Sequence, residues 1–261
     1  MLKPIKLFAV GSAAALVGLL FAANVQAATA THNQVQVDNV IIVMAGQNAA
    51  FVAGVKNVDQ CLSQHADKYA MHVYASVTGD RGVYNAVSDP MSWADMDAMD
   101  RDRTCDSVFE SDVMPHIAHG KTILLVRMPG FSHVQKNQGF VHLVDAVSFT
   151  LKDGEAANKT FKKDIKEIYA AAAKTNWPYY SVTYNVEAGG RHAPDYLIAE
   201  ATKNWADFGA PANPTTMKML TNVYGKNKAK EIMKSLRGAV KHASDKVYHY
   251  EASLSYTPSS H

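Results

Sequence analysis

A tyrosine followed by a Trp-Ala-Asp tripeptide occurs twice in the chain, and this repetition limits the possible folds more than any other feature. Tyr84 precedes Trp93-Ala94-Asp95, and the same arrangement returns 112 positions later as Tyr196 and Trp205-Ala206-Asp207. A repeat of this kind indicates one folding unit written twice. Each tryptophan is expected to anchor the start of a helix against a sheet.

The hydrophobic patterns in the two copies predict the same order of elements. Alternating apolar and polar residues indicate strands, and apolar residues at helical spacing indicate helices. The first copy is predicted to contain strands at 37–44, 71–78, 83–87 and 121–127, with helices at 49–68 and 92–114. The second is predicted to contain strands at 145–151, 179–186, 195–200 and 246–256, with helices at 155–174 and between 204 and 243. Each copy therefore has the order β-α-β-β-α-β.

This order predicts an α+β fold in which two ferredoxin-like β-α-β-β-α-β halves form a pseudo-dimeric α+β barrel. A ferredoxin-like unit covers one sheet face with helices, and two such sheets cover their other faces by meeting. The first half is placed at 28–127, a linker at 128–141 and the second half at 142–261. The chain resembles the dimeric α+β barrel superfamily in a fused form. That group includes NIPSNAP-like and stress-responsive barrel proteins, cofactor-independent quinone-forming monooxygenases and chlorite-dismutase-like haem proteins.

The first 27 residues have the pattern of a secretory signal peptide. Lys3 and Lys6 precede an apolar stretch at 7–23, and Val25-Gln26-Ala27 is typical of a cleavage site. The alternative is a retained membrane anchor, but glycine and serine interrupt the apolar stretch. We expect a soluble periplasmic or secreted protein without stable membrane insertion after cleavage. The remaining chain has 24 basic and 24 acidic residues, so its charge gives no support for a nucleic-acid partner. No oligomer is predicted.

The two cysteines, Cys61 and Cys105, lie in the two predicted helices of the first half. In an oxidising compartment such a pair is expected to form a disulfide, and two buried free thiols are the alternative. His116 and His119 are spaced for one helical face, but two local ligands are too few to predict a metal site.

Six polar residues are candidates for binding a ligand between the sheets. Strand alternation places His72 and Tyr74 on the side opposite an apolar set, and Tyr184 corresponds to Tyr74 in the repeat. The set is His72, Tyr74, Arg127, Tyr184, His249 and Glu251. The alternative is that these residues lie on the outer face of their strands. A shift of one residue in register would reverse the assignment.

Three classes of function are compatible with these features, and no catalytic residue can be assigned. The first is an exported protein that binds a small, mostly apolar molecule. The second is an enzyme that resembles the cofactor-independent monooxygenases or their haem-dependent relatives. The third is a structural or interaction protein whose barrel is filled by side chains. The chain has no glycine-rich phosphate loop, Gly-x-Ser-x-Gly elbow or His-Glu-x-x-His helix, which disfavours nucleotide hydrolases, serine hydrolases and zincins.

Overall fold

A computed structural model describes residues 34–134 and 141–258 of the chain. The strands within them are β1 Val35–Val43, β2 Met71–Ser76, β3 Val83–Ser88, β4 Ile117–Arg127, β5 Leu143–Leu151, β6 Ser181–Ala188, β7 Tyr196–Thr202 and β8 Val240–Tyr250. The helices are α1 Asn48–Gln64, α2 Trp93–Arg101, α3 Asp106–Asp112, α4 Glu155–Lys174, α5 Trp205–Gly209, α6 Thr216–Tyr224 and α7 Lys226–Ala239. The predicted signal peptide lies outside the described residues.

The eight strands form one closed antiparallel barrel in the order β1-β3-β2-β8-β5-β7-β6-β4, and β4 pairs with β1 to complete it. Two pairings join the halves: β2 pairs with β8, and β4 pairs with β6. Closure leaves none of these eight described strands with an unpaired edge. Alternate side chains of every strand point into the barrel, and the others face the helices or solvent.

The α+β class is confirmed, but the prediction of two ferredoxin-like halves that form a pseudo-dimeric barrel is wrong. The finding that overturns it is the continuous hydrogen bonding between β2 and β8 and between β4 and β6. The strands are thus parts of one barrel, and its interior is not a gap between two separate sheets. The single predicted helix at 92–114 is also divided, because α2 ends at Arg101 and α3 begins at Asp106.

The helices cover the outside of the barrel unequally. Helices α4, α6 and α7 build the larger core on the outer face of β5 and β7, where Phe149, Phe161 and Trp177 are almost fully buried. Helix α1 makes a smaller core on β1 through Phe51. No helix in the described part of the chain is long and apolar enough to cross a membrane.

One pattern of contacts occurs in both halves. The Tyr84 hydroxyl donates to Oδ1 of Asn48 at 2.7 Å, and its ring lies 4.9 Å from that of Phe51. In the second half, Tyr196 donates to Oδ1 of Asn158 at 2.6 Å and stacks on Phe161 at 4.6 Å. In each case a tyrosine on the second strand of the hairpin holds the first turns of a helix against the barrel.

The predicted disulfide between Cys61 and Cys105 is present, with its Cα atoms 6.0 Å apart. Cys61 lies in α1, whereas Cys105 is the residue before α3 and not within a longer helix. The two tryptophans of the repeat do not anchor helices against the sheet. Trp93 is 40% exposed and Trp205 50%, because each is the first residue of its helix and the preceding Ser92 or Asn204 caps it.

Candidate functional site

The barrel encloses a cavity of about 680 Å³. Its lining comes from the inward positions of all eight strands and from the β6–β7 hairpin loop. A cavity of this volume is within the range that small-molecule sites occupy in proteins. The inward side chains therefore do not fill the barrel.

Asp38 on β1 is the one carboxylate among the described lining residues. It is 7% exposed, and Nδ2 of Asn85 on the neighbouring strand donates to both of its oxygens, at 2.9 and 3.0 Å. Burial raises the pKa of Asp38 to about 6, against the lowering effects of Asn85 and Lys121. A carboxyl group with this pKa can accept a proton and release it near neutral pH.

Three tyrosines from different strands point into the cavity: Tyr74, Tyr184 and Tyr248. Burial raises the pKa of Tyr74 and that of Tyr248 to about 12, and it raises the pKa of Tyr184 as well. The carboxyl group of Asp38 adds to the upward shift at Tyr184 and at Tyr248. These hydroxyls therefore stay protonated and can donate hydrogen bonds to a ligand in the space next to Asp38.

His72 lies in the same row of inward side chains as Asp38. In the strand register, Asp38 pairs with Val87 of β3, and Val87 pairs with His72 of β2. Nε2 of His72 lies 2.8 Å from Oδ1 of Asp89, and this contact lowers the pKa of Asp89. A carboxylate at this position orients the imidazole.

The opposite wall of the cavity is apolar in its deeper part, and Ser148 and Thr150 of β5 lie nearer the open end. Strand β5 is four positions from β1 in the barrel order and contributes Val144 and Ala146, while β7 contributes Leu197, Ala199 and Ala201. These short side chains leave space in front of Asp38. The cavity thus has one polar wall and one apolar wall, which suits a flat ligand whose polar group points to one side.

The cavity opens at the end of the barrel where the loops of the two hairpins, 77–82 and 189–195, are located. The lining residues Lys121, His192 and His242 are exposed there. A Cβ at Gly189 would lie 2.8 Å from Cβ of Ala193, so glycine is needed for the tight fold of the loop that carries His192. We refer to this opening, lined by Lys121, His192, His242 and Lys246, as the mouth.

The structure separates the six candidate residues predicted from the sequence. His72, Tyr74 and Tyr184 line the cavity, and Arg127 is paired with Tyr184 in the strand register. His249 lies on the outer face of β8, because Tyr248 occupies the inward position next to it. Glu251 follows the end of β8, and its Oε1 lies 3.3 Å from Nδ1 of His249. Ligand binding by any of them stays a prediction.

Sequence reasoning missed Asp38, Asn85, Lys121 and Tyr248. The signal for Asp38 was its alternation with Gln36 and Val40, because these three residues share one face of β1. The strand predicted at 37–44 is dominated by its apolar run at 40–44. The polar residues Asp38 and Asn39 in its first half were therefore not assigned to the site.

Asp145 offers a useful contrast because it is a buried acid outside the cavity. It lies on the outer face of β5, opposite Glu200 of β7 in the register, and both are 7% exposed. Burial, with a contribution from Asp245, raises the pKa of Asp145 to about 6. Asp145 and Asp38 are thus similarly perturbed, but only Asp38 faces the cavity.

Three histidines line the cavity: His72, His192 and His242. A proximal histidine offers one ring nitrogen to iron beside the macrocycle. Nε2 of His72 lies 2.8 Å from Oδ1 of Asp89, the kind of contact that the second ring nitrogen of a metal-bound histidine makes, while His192 and His242 are exposed at the mouth. The described residues contain no group of three or more His, Cys, Asp or Glu side chains arranged to hold a metal ion.

No protein-family model matches the chain, and comparison with curated proteins found no relative. Solved structures are similar in fold. A candidate monooxygenase from Lactobacillus acidophilus NCFM aligns at TM-score 0.55 and 10% identity, over 87% of this chain and 97% of that one. An anthrone oxidase-like protein aligns at 0.53 and 10%, over 84% and 92%.

A chlorite dismutase variant from Candidatus Nitrospira defluvii aligns at TM-score 0.52 and 14% identity, over 84% of this chain and 92% of that one. At such identities the likeness concerns the fold alone. The solved structures that share this fold are monooxygenase-type and chlorite dismutase proteins.

Proposed function

We propose that the protein binds a flat, mostly apolar molecule in the barrel cavity and oxidises it with O₂ in a monooxygenase-like reaction that needs no cofactor. The observation that carries this proposal is Asp38, a buried carboxyl group inside a cavity of about 680 Å³ whose opposite wall is apolar. Substrates of this class have an acidic C–H group conjugated to a carbonyl, as anthrones do through their fused aromatic rings. The monooxygenase-type neighbours support the same class of reaction.

Asp38 would start the reaction by taking a proton from the acidic carbon. The resulting carbanion forms a bond to one atom of O₂, and the peroxide anion takes the proton back from Asp38. Loss of water then breaks the O–O bond and leaves a carbonyl on the carbon. In sum, the substrate loses two hydrogen atoms and gains one oxygen atom, and the second oxygen atom leaves as water.

The surrounding residues have roles that follow from their positions. Tyr184 and Tyr248 are placed to donate hydrogen bonds to an oxyanion formed beside Asp38. The apolar wall of β5 and β7 excludes water and holds the ring system flat. No step of the proposed reaction is assigned to haem.

The cavity favours this proposal over a barrel filled by side chains. A structural barrel of eight strands is packed through its centre, whereas this one retains space beside several titratable groups. The finer resemblance to NIPSNAP-like and stress-responsive barrel proteins adds no residue to the site and rests on element order.

Export is a further part of the proposal. It rests on the signal-like residues 1–27 and on the disulfide between Cys61 and Cys105, since such bonds persist mainly in oxidising compartments.

The test is O₂ consumption by the wild-type protein and its Asp38→Asn variant with a panel of anthrones and related enolisable ketones. Removing a general base should lower the turnover rate by roughly 100-fold or more. Wild-type turnover should rise with pH through about 6, because the base must be ionised. Asp145→Asn is the matched control and should keep its activity. Equal turnover by the Asp38→Asn and wild-type proteins would show that Asp38 is not the base.

A further inference from the structure

The mouth of the cavity has an excess of positive charge that the rest of the chain does not share. The whole sequence has 26 basic and 24 acidic residues. The lining instead includes two lysines and three histidines with Asp38 as the one carboxylate. The mouth residues Lys121, His192, His242 and Lys246 belong to this basic set.

These groups surround the mouth from different sides. Lys121 is on β4 and Lys246 is on β8, and these strands are four positions apart in the eight-stranded order, so they face each other across the barrel. His242 shares β8 with Lys246, and His192 comes from the β6–β7 hairpin loop. A ligand that enters between them meets a basic side chain on each side.

The nearby carboxylates do not neutralise the mouth. Lys246 lies 3.7 Å from Asp80, whose side chain is 81% exposed on the first hairpin loop, and exposed pairs of this kind are weak. Lys121 forms no ion pair within 4.0 Å among the described residues. The positive charge of Lys121 lowers the pKa of Asp38, which lies deeper in the barrel.

We propose that the ligand of this cavity carries an anionic group, such as a carboxylate, which binds at the mouth between Lys121 and Lys246 while its aromatic body lies against β5 and β7. This inference rests on the proposed function, since it concerns the same cavity, and it names the substrate class as an aromatic acid. The anionic group would remain in partial contact with water, and the opposite end of the ligand would reach Asp38. Binding would then fix which end of the molecule enters first.

The test compares two fluorescent probes with the same ring system. 6-Hydroxy-2-naphthoate carries a carboxylate, whereas 2-naphthol is neutral at pH 7. Fluorescence titration of the full chain should show at least tenfold tighter binding of the naphthoate, and this preference should decrease as salt is raised from 50 to 300 mM. The Lys121→Gln, Lys246→Gln double variant should bind both probes within about threefold of each other, without weaker binding of 2-naphthol.

The control is the Lys56→Gln, Lys230→Gln double variant, which loses the same charge from exposed helix positions and should keep the preference. Equal binding of the two probes, an unchanged preference in the Lys121, Lys246 double variant, or failure of both probes to bind would overturn the proposal. The result of this binding experiment can be distinguished from the result of the O₂-consumption assay. If the preference holds while Asp38→Asn remains fully active, the anion site stands and the role of Asp38 as the base fails.

Discussion

Replacing Asp38 with asparagine should make the protein more stable at alkaline pH while it lowers the proposed turnover by roughly 100-fold or more. Asp38 is 7% exposed, and its pKa rises from 3.8 to about 6 on folding. The difference between these two pKa values means that ionisation of Asp38 destabilises the folded state by roughly 3 kcal/mol. Since the folded-state pKa is the higher one, the protein is most stable below pH 3.8, where the group is protonated in both states, and this stability is lost as the pH rises through about 6.

An asparagine at position 38 cannot ionise, so it avoids that loss. It keeps one oxygen that can accept from Nδ2 of Asn85, but it places an amide group where the second carboxylate oxygen accepted. Losing that contact costs about 1 kcal/mol. The net gain at pH 8 should therefore be about 2 kcal/mol, and at pH 4, where little of the ionisation penalty is present, the variant should be slightly less stable than the wild type.

The measurement is urea denaturation at pH 4 and pH 8, followed by the fluorescence of the buried Trp177. Asp145→Asn is again the matched control. Its carboxyl group is similarly perturbed on the outer face, so it should also gain stability at pH 8, but without loss of turnover. A gain for Asp38→Asn that is equal at both pH values, or a loss at pH 8, would refute the assignment of the pKa shift to burial in the cavity.

Two further predictions concern the disulfide and export. Replacing Cys61 and Cys105 with serine releases a loop of 44 residues and should lower the free energy of unfolding by about 4 kcal/mol, measured by urea denaturation; an unchanged midpoint would contradict this. Protein recovered from the periplasm or the medium should begin at Ala28 on N-terminal sequencing, and recovery of a chain that begins at Met1 would argue against cleavage.

The parts of the fold that sequence reasoning predicted are those with a local signal. Helix α4 was predicted at its observed bounds because its apolar residues follow a 3.6-residue period over five turns. The orientation of β2 was predicted because the alternation of Met71, Val73 and Ala75 assigns one face to the helices. The capping pair Ser92 and Asp95 likewise marked the start of α2.

Closure of the barrel could not be predicted in the same way. It depends on the pairing of β2 with β8 and of β4 with β6. These strands are joined by backbone hydrogen bonds, which any residue except proline can make. No side-chain pattern therefore distinguishes a continuous barrel from two sheets that face each other.

The last strand shows why part of the candidate site was misplaced. Strand β8 begins at Val240, directly after α7, with no proline or polar turn to mark the boundary. Near the mouth both of its faces are polar, as Lys241 and His242 show, so alternation does not identify the inner face. The predicted strand began at Lys246, six residues late, and His249 was expected inside, where Tyr248 lies.

The matched contacts of Tyr84 and Tyr196 allow a direct test of whether the two halves use the same device to hold their first helices. Each hydroxyl donates to an asparagine in a helix, to Asn48 at 2.7 Å and to Asn158 at 2.6 Å. Replacing either tyrosine with phenylalanine keeps the ring contact and removes one hydrogen bond, which should lower the free energy of unfolding by about 1 kcal/mol. The effect should be larger for Tyr196 than for Tyr84, because its partner Asn158 is half-buried whereas Asn48 is exposed to water. The sites share no partner, so the double variant should lose the sum of the two single losses in urea denaturation. If only one of the two substitutions lowered the free energy of unfolding, the two tyrosines would not stabilise their halves in the same way.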